Sequence, residues 1–131
     1  MDVQYLGLGD LLVIASGVLG IEAEVLAKAT NLVVGDSALN APAASFGGIE
    51  FYPDFATKVA LLGYRLTRNH ALPDGNKRTA LLAMIEFAER NERRWKVLDE
   101  EETVETMVAV AAGTMSEDAF TRWVSDQLEH S

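Results

Sequence analysis

Cysteine is absent from the 131 residues. That excludes a disulfide framework and any thiolate metal site, and it fits a reducing compartment, read here as the cytoplasm. No apolar run approaches the roughly 20 residues that a membrane-crossing helix needs; the stretch from Leu11 to Ile21 reads instead as a buried helix. The opening Met1-Asp2-Val3-Gln4-Tyr5 has no basic start and no small-residue cleavage pattern, so no signal peptide is expected. Several complete signatures are missing too. Gly7-Leu8-Gly9 carries two glycines of a dinucleotide fingerprint without the strand–turn–helix unit around them. There is no Gly-x-x-x-x-Gly-Lys-Ser/Thr loop, and His70 and His130 are too far apart in the chain to read as a zinc pair.

What remains is an apolar share of 49% and a net charge of −9. The length suits a single domain spanning residues 1–131. The charge is unevenly spread. Residues 1–57 hold seven acids and one base, residues 58–98 four acids and nine bases, and residues 99–131 nine acids and one base. The acidic balance argues against direct nucleic-acid binding, which needs a basic face. The basic middle third either scatters its cations over solvated helix faces or turns them toward an anion such as a polyphosphate.

The pattern predicts an all-α fold of six or seven helices. Asp10 to Leu19 reads as an apolar helix ended near Gly20, and Ile21 to Thr30 as a second. Gly35-Asp36-Ser37 offers a start for a third, which Pro42 would stop. Residues 43–52, with Gly47-Gly48 at their centre, read as a loop or small hairpin ending at Pro53. Asp54 to Arg68 places Phe55, Val59, Leu62 and Leu66 at helical spacing, and Lys77 to Asn91 does the same with Leu81, Ile85 and Ala88. Val3 to Leu6 is a short strand or a lead-in, and Arg94 to Leu98 a short extended piece. Asp99 opens an acidic helix running to about Gly113, and Ser116 caps a last one carrying Phe120, Trp123 and Leu128.

Between the two strongest helices lies His70-Ala71-Leu72-Pro73-Asp74-Gly75-Asn76-Lys77-Arg78. A helix N-terminus presents unpaired N–H groups to an anion, and Gly75 lets the backbone approach it. Lys77 and Arg78 add full charges, and Arg can grip phosphate through two parallel hydrogen bonds. Asp74 is a hard oxygen ligand suited to one position on Mg²⁺. An imidazole titrating at about pH 6.5 can take a proton from a hydroxyl at neutral pH, which makes His70 a candidate base. Taken singly these residues read more blandly, His70 as a structural histidine and Asp-Gly-Asn as a common turn. Two cations in a helix's first turn, however, oppose its dipole, and an anion there would offset them.

This segment resembles the Fic signature, His-Pro-Phe-x-Asp/Glu-Gly-Asn-Gly/Lys-Arg, and Lys77 makes it similar to the Doc ("death on curing") branch of the Fic/Doc family, the toxin half of Phd–Doc toxin–antitoxin systems. The likeness extends to Ser37-Ala38-Leu39, to Ala44–Tyr52 with its Phe46-Gly47-Gly48, to Thr79-Ala80-Leu81-Leu82 and to Val110-Ala111-Ala112-Gly113, covering about residues 5 to 124. The resemblance implies a Fic fold with a hairpin flap at Phe46 to Tyr52 that aligns the target peptide by strand-like pairing. It implies His70 as general base, Asp74 on Mg²⁺, and Gly75 and Asn76 with the following helix start on ATP phosphates. Lys77 and Arg78 would add charge, and Arg68 would be a weaker nucleotide contact.

Typical Fic enzymes have Gly where Lys77 stands and transfer AMP. The Doc branch implies transfer of the γ-phosphate of ATP to a threonine of elongation factor Tu, arresting translation. The alternatives are a Fic-type AMP transferase modifying a protein hydroxyl, or a non-catalytic, partner-binding Fic-fold protein. Ala71 and Leu72 replace the family's Pro and Phe; Leu72 is expected to anchor the loop with less area than Phe. The family's inhibitory Ser/Thr-x-x-x-Glu-Gly/Asn helix has no match, since the sequence from Ser125 departs at His130. Restraint is therefore expected in trans, from a Phd-like antitoxin.

Overall fold

The computed structural model describes residues 2–129; His130, and with it the end of the near-match to the inhibitory motif, lies outside them. Among the described residues the chain forms seven α-helices and one two-stranded hairpin, so the all-α reading holds. Helix α1 spans Leu8–Leu19, α2 Ala23–Ala29, α3 Leu32–Asn40, α4 Phe55–Asn69, α5 Asn76–Arg90, α6 Glu100–Ala112 and α7 Glu117–Gln127. A single turn of 3-10 helix at Ala41–Ala43 links α3 to strand β1 (Ser45–Phe46), which pairs antiparallel with β2 (Ile49–Glu50).

Local chemistry explains most boundaries. Asp54, Asp99 and Ser116 each accept a hydrogen bond from the backbone three residues on, at Thr57, Glu102 and Ala119, satisfying an otherwise unpaired first-turn donor. Gly20 and Gly113 close α1 and α6 in the left-handed conformation. Helix α3 starts three residues earlier than Gly35-Asp36-Ser37 suggests. The reason is Asn31, whose side chain accepts from Val34 N at 3.1 Å and caps the helix there. Gly35 is then a packing residue inside α3: a Cβ on it would lie 3.4 Å from Leu11 Cδ2.

Two extended expectations shrink. Val3 to Leu6 forms no strand and is a lead-in whose Leu6 enters the core. Of Arg94 to Leu98 only Trp95 pairs, in a single bridge to Leu128, with Lys96 N donating to Gln127 O and Glu129 N to Arg94 O, each at 2.8 Å. That bridge takes Leu128 out of the last helix, which ends at Gln127.

Helix α4 is the axis of the fold, packed against α5, α7, α3 and α6. Val59, Leu62 and Leu66 of α4, Ala80, Met84 and Phe87 of α5, and Phe120 and Val124 of α7 share one buried cluster. The close approach of α4 to α5 depends on Gly63, because a Cβ there would run into Met84 Sδ and lie 2.8 Å from its Cγ. The two helices that flank the candidate loop are thus held by the densest packing in the molecule. No helix of the described residues is long and apolar enough to cross a membrane.

Candidate active site

The loop between α4 and α5 is short, and both its ends are backbone irregularities with a purpose. His70 ends α4 with φ 48° and ψ 48°. A left-handed conformation is uncommon for a residue with a side chain and persists only where neighbours over-determine it. Here they do. Ala71 O accepts from Asn31 N at 2.8 Å, tying the loop to the start of α3. Leu72 is buried with Ala15 and Leu26 and flanked by Leu12 and Leu19, which is the anchoring expected of it. Asn76 clasps Leu72 from the far side, accepting from its N–H at 3.1 Å and donating to its carbonyl at 3.0 Å. His70 itself is left exposed at the rim.

At the other end Gly75 adopts φ +70°, and a Cβ there would press to 3.0 Å of Leu19 Cδ2 and 3.2 Å of Val18 Cγ1. Glycine is required on both counts. Its N–H donates to Asp74 Oδ1 at 2.8 Å. The intrahelical ladder of α5 begins only with Thr79 N on Gly75 O. No side chain caps α5 and its first turn holds no acid. The N–H groups of Asn76, Lys77 and Arg78 therefore take no partner among the described residues. Three aligned donors, the positive end of a helix dipole and two exposed cations together have the chemistry to receive an anion.

Asp74 is exposed and keeps an oxygen that makes no hydrogen bond among the described residues. Among the described residues no cluster of three or more His, Cys, Asp or Glu stands ready for a metal. A lone carboxylate beside a phosphate cradle suits Mg²⁺, which is commonly held by one or two carboxylates, substrate phosphates and waters. Lys77 and Arg78 also border an apolar slot of about 170 Å³ between α5 and α6, lined by Leu81, Thr103, Val104, Met107 and Val108.

The structure brings His70, Asp74, Gly75, Asn76, Lys77 and Arg78 into one loop and helix start, but two roles differ from their sequence reading. The Asn76 side chain is spent on Leu72, so its offer to an anion is its backbone N–H. The Arg68 guanidinium sits at the C-terminus of α6, where Nη1 donates to Val110 O at 3.3 Å and to Ala111 O at 3.1 Å. Sequence reasoning missed Asn31 as a loop anchor and passed over Lys58. A signal for Lys58 existed: it lies three residues after Phe55 and four before Leu62, on the apolar stripe of α4.

The hairpin falls inside the expected flap. Gly47 and Gly48 have φ 61° and 81°, the two left-handed residues of a tight turn matched to strand twist. Ser45 pairs with Glu50 and Phe46 with Ile49, and Phe51 N donates to Ala44 O at 3.0 Å. Phe46, Ile49 and Phe51 are 80%, 73% and 58% exposed.

Residues 10–88, more than half of the chain, match the family model described as Fic/DOC family. The chain belongs to the Fic/Doc family. It is also similar to a curated protein of Mycolicibacterium smegmatis, Toxin Doc, with 46% identity over 56 residues. That match covers 43% of this chain and 43% of the relative, so it spans less than half of either protein.

Proposed function

We propose that this Fic/Doc protein is a Doc-type toxin that transfers the γ-phosphate of ATP to a protein hydroxyl, a threonine of elongation factor Tu, and so arrests translation in the cytoplasm until a Phd-like antitoxin binds it. The observation that carries the reading is the start of α5, with three N–H groups that take no partner among the described residues, Gly75 and two cations, one loop away from an exposed histidine. The similarity to Toxin Doc supports the choice of branch.

In this reading the phosphates of ATP lie on the backbone N–H groups of Asn76, Lys77 and Arg78. Asp74 supplies the protein's carboxylate to Mg²⁺, which when bound neutralises phosphate charge. His70 accepts the proton of the threonine hydroxyl as its oxygen bonds to the γ-phosphorus; the bond from that phosphorus to the β,γ-bridging oxygen breaks, and ADP leaves. Little covalent chemistry falls to the protein, so positioning and charge account for most of the catalysis. Lys77 favours γ-phosphate over AMP transfer, because a bulky cation fills the space that glycine leaves open in AMP-transferring relatives.

The test is a labelling assay with purified elongation factor Tu, Mg²⁺, and ATP labelled at either the α- or the γ-phosphate. Label from γ alone, reduced roughly 10²- to 10⁴-fold by His70→Ala, is the expected result. Label from α would replace phosphorylation by AMP transfer. No label on this target or in whole-cell extract would leave a partner-binding protein without catalysis.

A further inference from the structure

The flap cannot hold itself. Its strands are two residues each, and an isolated two-stranded hairpin is at best marginal in water. Nor is it held by apolar packing, since Phe46, Ile49 and Phe51 all face outward. Its attachment is polar, and it converges on one side chain. Lys58 of α4 is 1% exposed, and its Nζ donates to Pro42 O at 3.0 Å and to Glu50 Oε1 at 2.9 Å. Pro42 precedes the hairpin and Glu50 closes β2, so a single ammonium ties down both legs. The Tyr5 ring, its centroid 5.5 Å from Nζ, covers the remaining side. Burial pulls the lysine's pKa down, but Tyr5 and Glu50 more than offset it and hold the pKa above the usual lysine value. The clamp is therefore a charged one at any physiological pH.

Helix α4 carries this clamp at one end and His70 at the other, twelve residues along, or roughly 18 Å at a rise of about 1.5 Å per residue. The flap and the base are mounted on one rigid rod.

We propose that Lys58 is a positioning residue: by bonding Pro42 O and the Glu50 carboxylate it fixes the flap hairpin to the helix that carries His70, and so sets where the target segment is presented. The inference takes from the proposed function only what the flap aligns; the clamp itself is a claim about the free protein.

The experiment compares wild type, Lys58→Met, Glu50→Ala and the double variant by amide hydrogen exchange of the protein alone. Methionine keeps the buried bulk of lysine without its charge, and the partner it leaves, Glu50, is half-exposed, so no uncompensated charge is left buried. Glu50 is half-exposed, so its truncation spares the core. Exchange at residues 44–52 should rise by roughly tenfold in both single variants, the scale of a lost hydrogen bond to a charged group. Exchange in the middle of α4 and α5 should stay within about twofold. The double variant should be no worse than Lys58→Met, because the two changes break one clamp.

With elongation factor Tu as substrate, KM for the protein should rise about five- to tenfold in both single variants while KM for Mg·ATP holds. Unchanged exchange at residues 44–52 in both single variants overturns the proposal. So does a rise spread through α4 in Lys58→Met with no effect of Glu50→Ala, which would make Lys58 a fold residue only. If wild type labels nothing, the proposed function fails while the exchange result still decides the clamp.

Discussion

The loop at residues 70–75 and the hairpin at residues 44–51 are both short connections flanking α4, and they are secured in opposite ways. The loop is pinned at every turn: Asn31 holds Ala71, Leu72 is buried against Ala15 and Leu26, and Asn76 clasps Leu72 by both its amide atoms. The hairpin exposes its large side chains and rests on the Lys58 clamp. Chemistry on a phosphate needs donors fixed to within a fraction of an ångström. Recognition of an extended segment needs a strand edge and apolar contacts that can adjust to it. The contrast teaches that one helix can be followed by a connection held by burial and preceded by one that rests on a single polar clamp.

The sharpest way to break this comparison is Leu72→Ala. It removes the loop's buried anchor and should destabilise the protein by about 3 kcal/mol, the usual cost of truncating a core leucine. Urea unfolding measures it, and a loss below 1 kcal/mol would mean that the loop is not held by burial. Phe51→Ala should sit at the other extreme, within about 0.5 kcal/mol of wild type in the same urea titration, because the side chain is largely in water already. A large loss of stability there would show that the flap is part of the core after all.

A small effect that depends on pH concerns α1, the wall on which Leu72 packs. Asp10 accepts from Arg90 at 2.7 Å and from Gly7 N at 2.9 Å, and these bonds hold its carboxyl below the usual carboxylate pKa. A lowered folded pKa means that the contribution is present above the unfolded value of about 3.9 and is lost as pH falls through the folded one. Both partners of the pair are about one-third exposed, at 37% and 31%, so solvent screens it and Asp10→Asn should cost well under 1 kcal/mol at neutral pH. The difference from wild type should vanish in thermal melts carried down to the most acidic pH at which the fold survives. A difference that persists there would trace to the hydrogen bonds rather than to the charge.

Much of this was legible in the chain. The spacing of Phe55, Val59, Leu62 and Leu66 sufficed for α4, the Asp99 and Ser116 caps placed α6 and α7, and Gly47-Gly48 marked the hairpin turn. The candidate site was legible as a segment, because an anion site built on a helix start is local: Gly75, the missing cap and two cations are all neighbours in sequence. Where reading failed, the deciding partner was distant or the local choice ambiguous. The start of α3 turned on which of two polar clusters would cap it, and the pairing of the Arg94 to Leu98 extended piece lay with Leu128, some thirty residues away.

By itself, then, the sequence determined the helices, the turn and the chemical inventory of the loop, because periodicity, capping and glycine act over a few residues. Only the tertiary structure decided how those groups are used. It assigned the Asn76 side chain to the loop rather than to an anion, placed Arg68 on the end of α6, and turned Lys58 inward to meet Pro42 and Glu50. Each of these is a choice among partners that compete for one donor or acceptor. Packing settles it, by fixing which partner is within hydrogen-bond reach once α4 is buried among its neighbours.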